Sequence, residues 1–523
     1  DWCNNVIPIL WKKPFSRIKY NSLSSNSKNG GFIIRTYLSC LSKSKRCQLS
    51  LESFQLFSSP LYFYPTFLRE LDFEDLYDEI FDWTTTTNFS NNSKKIPTDL
   101  DNFNVQYFTQ NELNNHDPKK IMMIEAIIEL IFKHCNSLDY ICFDIRRFPI
   151  IFNNILTKCC MLHNSMNDPS CFRRLTTLEY HGVGSNYTIP ECIVLDLLFS
   201  LSGVCQNLTY LKIRSFAAPT CDSLATLIQS QRGLRKLLLW ELNLHDISCI
   251  IEAIGSQAHS IREIELFQCS FELCDSFEGL ACCHHLNTLS IIQCDYLTSD
   301  LLESLENAHF PYIEKLELKY FNYSLTDLNP EDIPSNQVKN IIKNCSDNLQ
   351  YLYTNLKLDD YFGIIESIST YCTLITSLEL NMQRAEQIYE LLPILESCQK
   401  LEKLMIQPIQ PIRFFPKYYS VSNDQIRWFA SKLPSSVRHL EIRYWTINAQ
   451  DLEDILSICG RSLYYIAWGF SDVKVVGDQK YFTQVITEHC KKESRKIKKI
   501  GTPQFFCDID DSRKNKGTVY VEF

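Results

Sequence analysis

A chain of 523 residues, 45% hydrophobic and 22% charged, is too long for one ordinary compact core and implies several globular domains or one extended array of repeats. Its net charge of −9 argues against a general binder of nucleic acid or anionic membrane. No apolar run approaches the roughly 18 residues of a membrane span, and the 23 cysteines, an odd number in a large chain without a visible secretory signal, read as reduced thiols of a cytoplasmic or nuclear protein.

Residues 1–15, DWCNNVIPILWKKPF, predict a short helix with Trp2, Val6, Ile9 and Leu10 on one face and Pro14 as its stop. The chain starts with Asp1 in mid-pattern, as expected of a fragment. A polar loop over 21–30 leads to a helix predicted over 31–41, where Ile33, Ile34, Tyr37, Leu38 and Leu41 fall at core spacing. The pattern L-x-x-L-x-L first occurs at Leu68, Leu71 and Phe73. The Asn-, Thr- and Lys-rich tract 84–119 reads as a flexible insertion, and a helix is predicted over 121–134.

From there the pattern recurs with its first apolar residue at 138, 175, 208, 234, 261, 286, 313, 349, 375, 401, 437 and 463. The gaps after 208 are 26, 27, 25, 27, 36, 26, 26, 36 and 26 residues. Alternating apolar positions predict a strand, and the intervening Leu224/Leu227/Ile228, Ile247/Ile250/Ile251/Ile254 and Leu452/Ile455/Leu456 predict one helix per repeat. One such strand and helix cannot bury their apolar faces alone and need copies stacked beside them. Repeats of this length and pattern predict an α/β leucine-rich-repeat solenoid, a horseshoe with a concave parallel sheet and convex helices. A weak fourteenth match lies at 497–500, and TVYVEF near the end suggests a terminal cap.

The cysteines follow the repeat. Cys135, Cys205, Cys283, Cys372 and Cys398 stand three residues before a first repeat position, and Cys345 and Cys459 stand four before. Cys269 and Cys294 stand three residues after the last apolar position of a strand. At these junctions a small apolar thiol is expected to pack.

Residues 286–305, LNTLSIIQCDYLTSDLLESL, resemble the cysteine-containing repeat subtype of F-box proteins. DWCNNVIPILWKKPF is similar to the end of an F-box in fungal F-box-like, leucine-rich-repeat proteins, a family prominent in arbuscular mycorrhizal fungi, and FLRELDFEDLYDEIFDW with Trp83 resembles the same family. The resemblance implies the substrate-recognition subunit of a Skp-cullin-F-box ubiquitin ligase. Trp2, Ile9, Leu10, Trp11 and Pro14 would be the trace of the adaptor side. The L-P-x-E-I/L start of an F-box is not in this sequence, so adaptor binding is expected only where the missing part is present in the full-length protein. The expected organisation is an F-box remnant over 1–20 and an N-terminal cap with an irregular first repeat over 21–135. Repeats follow over 136–500 with insertions near 144–174, 320–337 and 407–423, and a C-terminal cap covers 501–523.

No catalytic constellation is visible: there is no phosphate-cradling glycine loop, no H-E-x-x-H and no G-x-S-x-G. Cys282-Cys283-His284-His285 lacks the paired spacing of zinc ligands. No enzyme activity, cofactor or metal is therefore expected. Binding is expected instead on the outward strand positions. Those are Tyr210, Lys212, Arg214, Lys236, Trp240, Glu263, Glu265, Phe267, Lys315, Glu317, Lys319, Tyr351 and Tyr353, with Thr288, Ser290, Ile292, Lys403, Met405, Gln407, His439, Glu441 and Arg443 in the same register. Large aromatics among charges of both signs suit a protein partner on a monomeric receptor, not nucleic acid or membrane. A plain repeat scaffold without a ubiquitin role is the alternative, and a secreted recognition receptor a further one.

Overall fold

The computed structural model describes residues 2–16, 30–51, 60–86, 118–144, 170–182, 191–216, 221–242, 247–319, 335–354, 360–382, 384–408, 419–420, 422–446, 449–459, 462–469, 484–489, 499–501 and 518–522. Two compact units divide the chain, Asp1–Ile261 and Arg262–Phe523.

The first unit opens with helices α1 (Trp2–Leu10), α2 (Gly30–Cys40) and α3 (Lys43–Gln48). Strand β1 (Glu70–Asp72) is followed by α4 (Phe73–Thr86) and α5 (Pro118–His134). Then come β2 (Tyr140–Asp144), β3 (Thr177–His181), α6 (Glu191–Val204), β4 (Tyr210–Phe216), α7 (Cys221–Gln229), β5 (Lys236–Leu242) and α8 (Ser248–Ser256). These strands pair in chain order, β1-β2-β3-β4-β5, and every pair is parallel.

The second unit continues the alternation. It contains β6 (Glu263–Phe267), α9 (Glu278–Ala281), β7 (Thr288–Ile292), α10 (Ser299–Glu306), β8 (Lys315–Lys319), α11 (Ser335–Asn344), β9 (Tyr351–Thr354) and α12 (Tyr361–Tyr371). Next are β10 (Ser377–Met382), a 3₁₀ turn Ala385–Leu391, α13 (Leu392–Ser397), β11 (Lys403–Pro408), β12 (Tyr419–Ser420), α14 (Asn423–Lys432), β13 (His439–Thr446), α15 (Ala449–Cys459) and β14 (Tyr465–Gly469). Strands β6 to β11, then β13 and β14, run parallel in chain order. The chain is thus an α/β, solenoid-like repeat in which parallel strands alternate with helices, because each parallel neighbour requires a crossover that a helix supplies.

The burial of the strands follows the periodicity of the sequence. The first and fourth apolar residues of every repeat, from Leu138 and Ile141 to Leu463 and Ile466, are buried essentially completely. Leu68, Leu71 and Phe73 are buried in the same way. On the helices, Leu224, Leu227 and Ile228 of α7, Ile250, Ile251 and Ile254 of α8, and Leu452, Ile455 and Leu456 of α15 close the core from the other side.

The junction from helix to strand carries polar work as well as packing. Cys135, Cys205, Cys283, Cys345, Cys372 and Cys398 are buried there. Their thiols lie close to carbonyls of the neighbouring turn, as with Cys135 Sγ to Leu68 O at 3.3 Å and Cys398 Sγ to Cys372 O at 3.6 Å. Burial pushes the Cys135 thiol up to about 11 and those of Cys283 and Cys372 up to about 12, so these groups stay protonated. Two repeats place a glutamine at this junction. Gln231 Oε1 accepts from Leu208 N at 3.0 Å, and its Nε2 donates to Cys205 O and Leu227 O, each at 2.7 Å. Gln257 Nε2 donates to Gln231 O at 2.9 Å, so one repeat's side chain satisfies the backbone of the one before.

A second recurring device lies at the far end of the strands. Glu241, Gln268 and Gln293 occupy the eighth position of three successive repeats and have φ of 58°, 52° and 56°. This left-handed conformation is costly for a residue with a Cβ, and it recurs at one register position in these three repeats. Within the second unit, Gln268 Nε2 donates to Gln293 Oε1 at 2.9 Å, and buried Cys269 and Cys294 follow directly.

Several elements differ from expectation. Helix α1 ends at Leu10, four residues before Pro14, with Ile9 73% and Leu10 65% exposed. Trp11 and Phe15 anchor the segment, with Trp11 4.1 Å from the Tyr64 ring and Phe15 5.0 Å from Tyr37. The polar tract expected over 84–119 is helical at both ends, and residues 87–117 lie outside the described residues. Of the insertion at 320–337, residues 320–334 also lie outside them, and 335–337 already belong to α11. Within 407–423, Tyr419 and Ser420 form β12 and pair parallel with Trp445 and Thr446. The weak match at 497–500 is no further parallel rung. β16 (Thr518–Glu522) runs antiparallel against β14, and β15 (Lys499–Gly501) pairs antiparallel with β16. The TVYVE segment therefore covers the edge of the parallel strands, which would otherwise present unpaired backbone groups. Among the described residues, no helix is long and apolar enough to cross a membrane.

Candidate binding surface

In-register pairing sets the outward residues of successive strands side by side. Strand alternation sends one set of side chains to the helices and the other away from them. In the first unit Cys142 aligns with Glu179, Glu179 with Lys212, and Lys212 with Leu238. The next row is Asp144, His181, Arg214 and Trp240. In the second unit Ser290 aligns with Glu317, Glu317 with Tyr353, Tyr353 with Glu379, Glu379 with Met405, and Met405 with Glu441.

Trp240, expected as an open aromatic, is enclosed by cations of its own face. Lys212 Nζ stands 4.1 Å from its ring centroid and the Arg214 guanidinium carbon 6.0 Å. Arg214 in turn binds Glu241 through Nη2 at 2.7 Å and Nε at 3.0 Å. Lys236 lies over the Tyr210 ring at 6.0 Å. Glu179 accepts from His181 Nε2 at 3.2 Å and lies 4.0 Å from Lys212. Burial raises the Glu179 carboxyl, but the His181 hydrogen bond and the Lys212 charge outweigh it and hold the group below the ordinary carboxylate range.

The second unit carries a ladder of charges spanning several strands. Glu317 pairs with Lys315 at 2.8 Å and with Lys319 at 2.9 Å, and Lys319 also reaches Glu379 at 2.9 Å. Gln407 donates to Glu379 at 2.8 Å, and Ser290 donates to Glu317 at 3.3 Å. Burial raises the Glu317 carboxyl, but Lys319 and Lys315 outweigh it and set it below its ordinary range. Burial lowers Lys319, but Glu379 and Glu317 outweigh it and raise the ammonium above its ordinary value. Farther along, His439 Nε2 lies 2.6 Å from Glu441, and its ring stacks on Tyr465 at 4.1 Å.

Of the expected aromatics, Tyr353 is held by a 2.9 Å hydrogen bond to Ser377 and by Lys315 and Lys319 over its ring. Tyr351 is the open one, at 39%. Glu263, Glu265 and Phe267 line β6 and are half-buried, like Thr288 and Ile292 on β7. The Arg443 side chain lies outside the description, as does that of Trp2. Ile9, Leu10, Trp11 and half-buried Pro14 belong to the N-terminal segment, apart from the strand rows.

The Cys282–His285 run does not converge: Cys283 is buried and Cys282 exposed, His284 Nδ1 meets His309 O at 3.1 Å, and His285 stacks on Tyr312. Sequence reading missed Cys142, Asp144, Glu179 and His181, together with Ser377, Glu379 and Asn381. They occupy the same outward register in the repeats that begin at 138, 175 and 375, so the strand pattern itself was the available signal.

No protein-family profile matches the chain, and no curated protein matches it. Among solved structures, a crystal structure of a Bacteroides fragilis protein is similar at 11% identity, covering 58% of this chain and 67% of that one with a TM-score of 0.25. A superposition that loose carries nothing over to this chain.

Proposed function

We propose that the chain is a leucine-rich-repeat solenoid acting as the substrate-recognition subunit of a Skp-cullin-F-box type ubiquitin ligase. In this reading it catalyses nothing itself. Its repeats hold a target protein on their outward strand face, concave in a horseshoe of such repeats, and the N-terminal helix faces the adaptor. Holding the target near a charged ubiquitin makes transfer effectively intramolecular. The reading puts a monomeric protein in the cytoplasm or nucleus, where its thiols stay reduced.

The observation that supports it is the exposure of Ile9 and Leu10 beside an anchored Trp11 and Phe15. Two adjacent large aliphatics on an ordered helix suit a covering partner. The test is co-purification of the full-length protein with the Skp-type adaptor. Capture is expected, with loss of it in the Ile9→Asp, Leu10→Asp double variant. Failure of the unsubstituted protein to capture the adaptor sinks the reading.

A repeat scaffold without a ubiquitin role is favoured by one specific observation. The charges of the second unit neutralise one another along the strands, as lateral stabilisation requires. An L-P-x-E-I/L segment in the upstream coding sequence supports the receptor reading, and its absence supports the scaffold.

A further inference from the structure

We propose that Cys142, Glu179 and His181 form a binding site for a divalent transition-metal ion of the zinc type. The three sit on neighbouring parallel strands: Cys142 lies opposite Glu179, and His181 follows two residues later on the same face. Their donor atoms, one sulfur, one carboxylate oxygen and one imidazole nitrogen, all lie within 4.8 Å of one another. Tetrahedral zinc with bonds of about 2.0–2.3 Å has donor-to-donor edges of about 3.3–3.7 Å. His181 Nε2 and Glu179 Oε2 already stand at 3.2 Å. The remaining separations, at most 4.8 Å, exceed that edge by no more than about 1 Å.

The donor set selects the metal. Sulfur with imidazole suits zinc and its neighbours, whereas calcium and magnesium require oxygen ligands. Asp144 supplies the outer support. Its Oδ2 lies 3.6 Å from His181 Nδ1, which is buried without a hydrogen-bond partner. With Nε2 turned to the ion, Nδ1–H points to this carboxylate, the arrangement that fixes the tautomer of a ligating histidine. The charge balance agrees. Asp72, Glu179 and Asp144 all act on Cys142, which is 4% exposed, while Lys212 stands 4.0 Å from Glu179. A dication at the centre would add to that ammonium in offsetting the carboxylates. Three protein donors leave the fourth position to water or to an incoming ligand.

The test loads the purified, reduced chain with zinc or cobalt(II), removes excess by desalting, and counts metal per chain. One equivalent is expected, with a thiolate-to-cobalt charge-transfer band. X-ray absorption at the zinc edge of the unsubstituted protein should show one sulfur and otherwise nitrogen and oxygen donors. Cys142→Ser should abolish the cobalt–thiolate band, and Asp144→Asn should weaken affinity roughly tenfold to a hundredfold. The proposal is overturned by absence of retained metal, by two or more sulfur donors, or by a folded Cys142→Ser chain that binds with unchanged affinity. If Cys142→Ser does not fold, the sulfur count in the unsubstituted protein decides alone.

Discussion

The outward strand faces of the two units share one register and meet their charges differently. In the second unit, Lys315, Glu317, Lys319, Glu379 and Gln407 form a chain of contacts between 2.8 and 2.9 Å in which each carboxylate finds a donor on its own or a nearby strand. In the first unit, Cys142, Asp144, Glu179 and His181 crowd together, and Lys212 stands 4.0 Å from Glu179. Identical backbone positions thus hold a self-satisfied ladder in one place and a concentrated donor set in the other. In a repeat array the backbone fixes where side chains meet, and their chemistry is free to vary.

The largest effect should come from breaking the ladder. Lys319→Ala leaves Glu317 and Glu379, both nearly buried, short of a cation, and should cost about 3 kcal/mol, read as a fall in the urea midpoint at constant m-value. A loss below about 1 kcal/mol would mean that the ladder is ornamental. Next come the helix-to-strand junctions. Gln231→Ala removes three buried hydrogen bonds to backbone and should cost about 2 kcal/mol, against about 1 kcal/mol for Cys372→Ala at the matching place in the second unit. Equal losses would remove the distinction between polar and packing junctions.

The ladder should also register in pH. Glu317 is held below its unfolded value of about 4.3, so its contribution is present above that pH and is lost as pH falls through the lower folded value. Lys319 is held above its unfolded value of about 10.4, so its contribution is full below that pH and is lost as pH rises through the folded value. Thermal unfolding from pH 3 to 7 should therefore fall more steeply on the acid side for the unsubstituted chain than for Lys319→Ala, and parallel curves would contradict the coupling. The smallest effect belongs to Lys212→Ala in the first unit, under about 1 kcal/mol, with a change in Trp240 emission as the cation leaves its ring.

Much of this architecture is legible in the residues. Leu286, Leu289 and Ile291 at two- and three-residue spacing already state that a strand turns one face inward, and Leu301, Leu302 and Leu305 state that a helix covers it. The exposure of Ile9 and Leu10 is not legible in the residues, because helical periodicity reports that a face is apolar without reporting what lies against it. The enclosure of Trp240 and Tyr353 escaped the same reading, since the cations that cover them come from the adjacent strand.

The sequence by itself determined the alternation of strand and helix, the period near 26 and the burial of the junction cysteines. These follow from spacing along one chain, where apolar side chains must share a face to leave water. Only the tertiary structure decided that the final strands turn antiparallel as an edge cover and that Lys319 bridges two carboxylates. The same holds for the meeting of Cys142 with Glu179 and His181. Those outcomes depend on register between strands separated by tens of residues, and register is set by backbone pairing rather than by any local pattern.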